Sequence, residues 1–370
     1  MSGSVLAFAL FAAGAAPVPP VPANQAPAPR LVRPELSLIV VEQLPKNENG
    51  QHLVRVLRVG IRKNTMLPVE IVWEGEDDLV NSIWPHRLVA DRYLVTGSCG
   101  VIDLHSGRMI HGETGGQLRH LDAKRFLYCR EDGVFSFDFA KAESTRLGDA
   151  PKLNHALFFT PSPGGRNMIE TGGKERDAFF LHRDGEKPKS LGEGFKMEVN
   201  PDPIDSLVFS TPMLWLDDDR FLTQRGNGKL VTVDLDGKVT ELLTIKGAGE
   251  RPTQLSHDAS GAVIYSCAAG RFKIDVAKKT AVKSDWKELG HGFETRNVKG
   301  RDELRYNGRE IATSDELPFL DAKAAPGYLA LHAWKGSAVG FIAVWSAATG
   351  EWAKSNDMRL GLGAVAGWIK

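Results

Sequence analysis

Residues able to do chemistry are present in this chain but are scattered. Ten histidines occur, yet no H-E-x-x-H and no H-x-H pair is written, so spacing assembles no metal site. Histidines far apart in sequence could meet only if the fold gathers them. Cys99 lies in "GSCG" (Gly97–Gly100), which places it in a turn; a buried small residue is the plain reading and a Cys–His nucleophile the sharper one. The acidic stretches Asp217–Asp219 and Asp202–Asp205 offer oxygens for calcium, but each is only a fragment of a coordinating loop and is expected to be a solvated turn. Gly115–Gly116 and Gly172–Gly173 are followed by no Walker Lys-Ser/Thr, so they are not phosphate loops, and no G-x-S-x-G elbow exists. No catalytic, cofactor-binding or metal-ligating residue is assigned, and the cofactor is unknown.

The three cysteines, Cys99, Cys129 and Cys267, form no C-x-x-C pair, and the odd number leaves at least one without an intramolecular partner. A Cys99–Cys129 disulfide stays open. Lys plus Arg and Asp plus Glu both total 46, giving zero formal charge. A chain so balanced builds no strong field of its own, which argues against nucleic acid and anionic membrane surfaces as partners.

The elements that must position any site are strands. Apolar runs rich in Val, Ile, Leu and Phe recur from Glu35 onward, as in "LSLIVVEQL", "HLVRVLRVGI" and "KLVTVDL", and helical periodicity is hard to find. Asn-Gly or Asp-Gly at 49–50, 132–133, 184–185, 227–228, 236–237 and 307–308 predicts antiparallel hairpins, because both residue types tolerate positive φ. Trp73, Trp84, Trp215, Trp334 and Trp345 fall in strand text and are expected in the core; Trp352 and Trp368 are expected to be partly exposed.

These strands repeat. "LVADRYLVT", "LDAKRFLYC" and "LDDDRFLTQ" begin at Leu88, Leu121 and Leu216, and each leads through a Gly-containing turn to a strand ending in Asp. Those aspartates are Asp103, Asp138 and Asp234, with a fourth, Asp275, in "GAVIYSCAAGRFKIDVAKKT"; weaker copies place His182 and Trp345 there. Repetition of this kind predicts packing rather than catalysis: the Leu, aromatic and Leu of each copy should pack between neighbouring units, and the D-x-R part should form a turn.

"GVIDLHSGRM", "LVTVDLDGKV" and "FIAVWSAATGEW" resemble blade segments of bacterial β-propellers of the broad WD40-like and quinoprotein-like group. The resemblance implies an all-β fold, a single propeller of antiparallel blades over residues 35–370. About 335 residues at roughly 40–50 per blade favour seven blades, with eight the other count. Ring closure is expected to pair a strand near Leu36–Leu44 with the last blade, since closure removes exposed edges.

The N-terminal part predicts an address. The apolar run Val5–Ala13 with small residues at Ala13 and Ala15 predicts a signal peptide over 1–16, and the Pro/Ala-rich 17–34 predicts an extended linker. Periplasmic or extracellular localisation follows as an expectation, with no transmembrane segment in the mature chain. The expected function is an exported, non-catalytic scaffold for a protein or glycan partner. The alternative is a propeller enzyme of the lactonase, lyase or glycosidase kind, with its site at the central channel mouth.

Overall fold

Hydrogen-bonded meanders account for nearly all of the regular structure. The computed structural model describes residues 34–370 except 47, 49–52, 77–85, 97–98, 113–116, 122, 131, 149–158, 173–177, 184–185, 196–212, 250–253, 259–260 and 335–338. Among the described residues every regular element is a strand, and no helix is long and apolar enough to cross a membrane. The expected leader and the linker up to Arg33 lie outside the described residues, as do the turns at 49–50 and 184–185, the acidic stretch 202–205, Gly115–Gly116 and Trp84.

The strands form six separate four-stranded antiparallel sheets and one eight-stranded sheet. Each four-stranded sheet is a simple up-and-down run, for example Met213–Trp215, Arg220–Arg225, Lys229–Asp234 and Val239–Thr244 in order. First strands of neighbouring sheets contact one another. They therefore line the middle of the ring, and the arrangement is a β-propeller. The favoured number of seven blades is not confirmed. Six blades stand as separate sheets, and the eight-stranded sheet contains two four-stranded meanders, joined where Val339 and Gly340 pair with Arg359 and Met358.

Closure follows the expected route. Leu36–Gln43 pairs antiparallel with the last strand, Met358–Ile369, on one side and with Leu53–Arg62 on the other. The first and last described strands thus meet in one sheet. Tyr328 donates its hydroxyl to Glu35 at 2.8 Å, tying the start of that sheet to the other meander.

Alternation along each strand sends successive side chains to opposite faces, and in a propeller both faces are buried against neighbours. Leu53–Arg62 shows the consequence. Leu57, Val59 and Ile61 join one core cluster with Ala330, Ile342 and Val344, while Val54 and Val56 join another with Leu94 and Ile102. The repeated R-(Y/F)-L text behaves likewise. Phe221 packs with Phe179 and Ile169 of the preceding blade, and the adjacent Leu222 packs with Leu255 and Tyr265 of the following one. Tyr93 and Leu94 divide between two clusters in the same way. The core is a series of layers between blades rather than one central mass.

Candidate functional site in the central channel

The repeated polar residues were the conspicuous ones in sequence, and the structure gives them turn-forming work. Asp103, Asp138, Asp234 and Asp275 each end the third strand of a blade. Each Oδ1 accepts a backbone N–H from the turn that follows: from His105 at 3.0 Å, Ala140 at 2.9 Å, Asp236 at 3.0 Å and Lys278 at 2.9 Å. This is the local side-chain bond by which Asp holds a tight turn. The repeated arginines are occupied too: Arg92 bonds Asp103, Arg125 donates to the carbonyl of Pro163 at 3.1 Å, and Arg220 donates to Asp217 at 2.6 Å.

Other sequence candidates also resolve into structure. Asp217 additionally accepts the N–H of Asp219, and Asp218 accepts that of Gly164, so two carboxylates of the acidic triplet are spent on their own loop and a neighbour. Cys99 is buried, with its N–H on the carbonyl of Thr96 at 3.0 Å. Among the described residues, no group of three His, Cys, Asp or Glu could hold a metal ion. Trp215 and Trp345 are core as expected. Trp352 and Trp368 are partly exposed as expected, and both are bonded: their indoles donate to the carbonyls of Ile311 and Lys323, at 3.4 and 2.8 Å.

The convergent polar groups lie elsewhere, on first strands from three sheets. Arg87 opens Arg87–Val89, Lys287 opens Lys287–Gly290, and Asp321 and Lys323 sit on Phe319–Ala325. The alternation of "FLDAKAA" explains the last pair. Ala322 and Ala324 pack toward one neighbouring blade, which leaves Asp321 and Lys323 together on the opposite face. There the Lys323 ammonium lies 3.4 Å from the Asp321 carboxylate. Across the ladder Asp321 opposes His332, which is wholly buried.

Trp286 fixes the approach of Lys287. The guanidinium groups of Arg305 and Arg296 stack on its indole at 3.9 and 4.4 Å, favourable cation–π contacts. Its carbonyl accepts from Ser284 at 2.8 Å and from Arg271 at 3.0 Å. The next residue, Lys287, therefore leaves from a held backbone, with the Arg271 guanidinium near it.

Electrostatics show that these groups feel one another. Burial holds the Lys287 ammonium below the usual lysine range; Arg271, Lys323 and Arg87 push it further down, and Asp321 opposes them. Lys287 nevertheless keeps a large accessible surface. Both properties hold together inside a channel, where water reaches the side chain but protein walls displace the bulk solvent that would stabilise its charge. Burial likewise lowers Arg87, opposed by Asp321. His86 is 1% exposed, and neither ring nitrogen has a hydrogen-bond partner among the described residues. Burial, then the charges of Arg87 and Lys323, bring its pKa down to about 4. Among the described residues both ring nitrogens of His332 also lack partners, and its pKa is lowered by burial against the opposing effect of Asp321.

The result is a partly desolvated wall on which, among the described residues, Arg87, Lys287 and Lys323 face the carboxylate of Asp321, with Arg271 balanced by Asp258 and Glu288 and two neutral imidazoles behind. It can attract and hold anionic groups. A separate surface groove of about 490 Å³ is lined by Arg225, Lys229, Val231, Val239 and Glu241, and lies away from the first strands. Lys229 and Glu241 lie 4.0 Å apart and offset one another there, so the channel wall is the stronger site.

Sequence reasoning missed this site. Arg87, Lys287, Asp321 and Lys323 are spread over more than 230 positions and form no linear motif. The available signal was a charged residue on the first strand of a repeat, in "HRLV", "WKELG" and "FLDAKAA".

No family model and no curated protein matches the chain. Among solved structures it is similar to apo AztD from Citrobacter koseri, at 9% identity over 90% of this chain and 97% of that one, with a TM-score of 0.52. It is also similar to the dihydro-heme d1 dehydrogenase NirN in complex with DHE (13% identity, 93% and 77% covered, TM-score 0.49). A further similar structure is the β-propeller domain of Cps50 (Swd1) from Myceliophteria thermophila (12% identity, 75% and 86% covered, TM-score 0.34). At these identities the likeness concerns the fold alone.

Proposed function

We propose that this protein is a non-catalytic binding propeller, a scaffold that takes a protein or glycan partner carrying an acidic group. The single observation that carries the reading is the convergence of Arg87, Lys287 and Lys323 from separate sheets toward a channel where Asp321 is the carboxylate acting on all three. Packing side chains with like charge in a partly dry place is costly unless something anionic uses it. The residue pattern of 1–16 and 17–34 supports export, with the propeller held on a stiff linker outside the cytoplasm. We also take the two meanders of the eight-stranded sheet as separate blades, which makes the ring eight-bladed.

The test is binding of the purified chain to an array of acidic and neutral glycans and peptides, with Lys287→Gln and Arg87→Gln in parallel. Retention on acidic members that both variants lose supports the reading. Equal retention on neutral members, or none on any, removes it.

One feature favours the alternative, a lactonase, lyase or glycosidase at the channel mouth. The lowered Lys287 pKa enlarges the fraction of neutral amine, the form that acts as a base. Turnover of a lactone or uronide by the wild type and not by Lys287→Gln would establish it.

A further inference from the structure

The seam between the meander Gln254–Lys283 and the meander Lys287–Thr313 differs from the other seams of the ring. Among the described residues, each other pair of neighbouring meanders shares a cluster of buried apolar side chains, down to the small one of Val134 and Met168. None spans this seam. The apolar cluster of the first meander reaches back to Leu222 and Leu230, and that of the second reaches forward to Leu329 and Trp345.

Strand alternation explains what stands there instead. In Gly270–Asp275, Phe272 and Ile274 turn to the apolar side, which leaves Arg271 and Lys273 on the seam. In the second meander Phe293, Leu304 and Tyr306 turn to the far side, which leaves Glu294, Arg296, Glu303 and Arg305 facing back. Across the seam the Lys273 ammonium lies 3.5 Å from Glu288, and Arg271 donates to the Trp286 carbonyl at 3.0 Å. Lys273 also lies 3.9 Å from Asp258 of its own meander. Arg296 and Arg305 donate to Glu303 and Glu294 at 2.6 and 2.5 Å and stack on the Trp286 indole. Every charge on the seam has a partner, and no backbone ladder crosses it.

We infer that this seam is the opening joint of the ring, a conformational device set by ionic strength. It goes beyond the binding reading and does not depend on it. Parting any other seam exposes apolar surface, at a cost that grows with area. Parting this one returns charges to water, which hydrates them. Lys273 and Glu288 are already 44% and 42% exposed, so salt reaches their pair and screens it. In a repeat array the weakest neighbour interface separates first. The ends of the ring stay joined meanwhile, because Leu36–Gln43 is held to Met358–Ile369 by a backbone ladder.

Two isoleucines of one meander form a matched pair of reporters. Ile264 and Ile274 are each 4% exposed. Ile264 pairs with Lys273 across the ladder and shares its seam side, whereas Ile274 belongs to the apolar cluster on the opposite face. Ile264→Cys and Ile274→Cys are labelled separately with N-ethylmaleimide, a neutral reagent, and fragment mass spectrometry reads the new cysteine alone. Raising sodium chloride from about 20 mM to about 500 mM shortens the screening length from about 20 Å to about 4 Å. Labelling at position 264 should then accelerate about tenfold while that at 274 stays unchanged. Equal acceleration at both positions, or none at 264, overturns the joint. A second measurement needs no new cysteine. The wild-type melting temperature should fall over the same salt range, and that of the double variant Lys273→Met, Glu288→Met should stay flat, because apolar contact replaces the screened pair. A double variant as salt-sensitive as the wild type would also overturn it.

Discussion

Arg92 and Asp103 meet through two parallel hydrogen bonds, Nε to Oδ1 at 3.0 Å and Nη2 to Oδ2 at 2.8 Å, while the same carboxylate caps its own turn at His105. The paired geometry is the strong form of the Arg–carboxylate contact. These bonds, led by that from Arg92, hold the Asp103 carboxyl well below the usual carboxylate range. Asp103 is nearly buried, so removing its charge leaves Arg92 and the turn unsatisfied. Asp103→Asn should lower stability by about 1.5–3 kcal/mol, measured by urea unfolding at neutral pH. The contribution is present above the ordinary Asp pKa and is lost as pH falls into the acid range, so mutant and wild type should converge there.

Mild acid should weaken the fold before the carboxylates titrate. The unfolded chain takes up a proton on His86 near pH 6.5, whereas the folded chain refuses it until about pH 4. Stability is therefore greatest above pH 6.5 and falls between 6.5 and 4, by about 1.4 kcal/mol per pH unit for one such group. His332 is shifted in the same direction and adds to the slope. Urea midpoints measured across this window should show the decline, and His86→Leu should make it shallower. A flat profile in the wild type would contradict the burial of both rings.

Phe126 sits wholly buried in an aromatic layer, with ring centroids 5.2 Å from Phe137 and 5.4 Å from Tyr128. The layer has no other way to fill that volume, because each neighbour is fixed on its own strand. Phe126→Ala should cost about 3–5 kcal/mol, read as a loss in melting temperature. Phe126→Leu should restore much of it.

Two hairpin glycines should differ. Gly308, in the two-residue turn between Tyr306 and Arg309, has φ +80° and open space around a would-be Cβ. Gly308→Ala should cost only the left-handed backbone strain, about 1–2 kcal/mol. Gly228 has φ +68°, and a Cβ there would collide with the carbonyl oxygen of Ile245. That oxygen cannot retreat without breaking the end of its hairpin, so Gly228→Ala should destabilise the chain substantially more than Gly308→Ala. Denaturant unfolding of the two variants side by side decides it.

The repeat text made the architecture legible without coordinates. Each blade can bury its two faces only against its neighbours, so similar residues must recur at similar places, and Tyr93-Leu94, Phe126-Leu127 and Phe221-Leu222 write that requirement directly. The turn-capping aspartates recur for an equally local reason: Asp103, Asp138, Asp234 and Asp275 each hold the turn between the third and fourth strands of a blade. Closure through Leu36–Gln43 was legible because an unpaired apolar strand at one end of a ring needs a partner. The blade count was not. The sheet containing Lys287–Gly290 has "RDELRY" as its third strand, whose charged alternation hides the repeat, and the closing sheet is split between the two ends of the chain. The channel site was hidden for a deeper reason. Strand period and turn chemistry are local properties, whereas the charge environment of Lys287 depends on Arg87 and Lys323, which approach only when the ring closes. Only the tertiary structure brings those cations together, because Coulomb interaction depends on distance in space and the sequence records only distance along the chain.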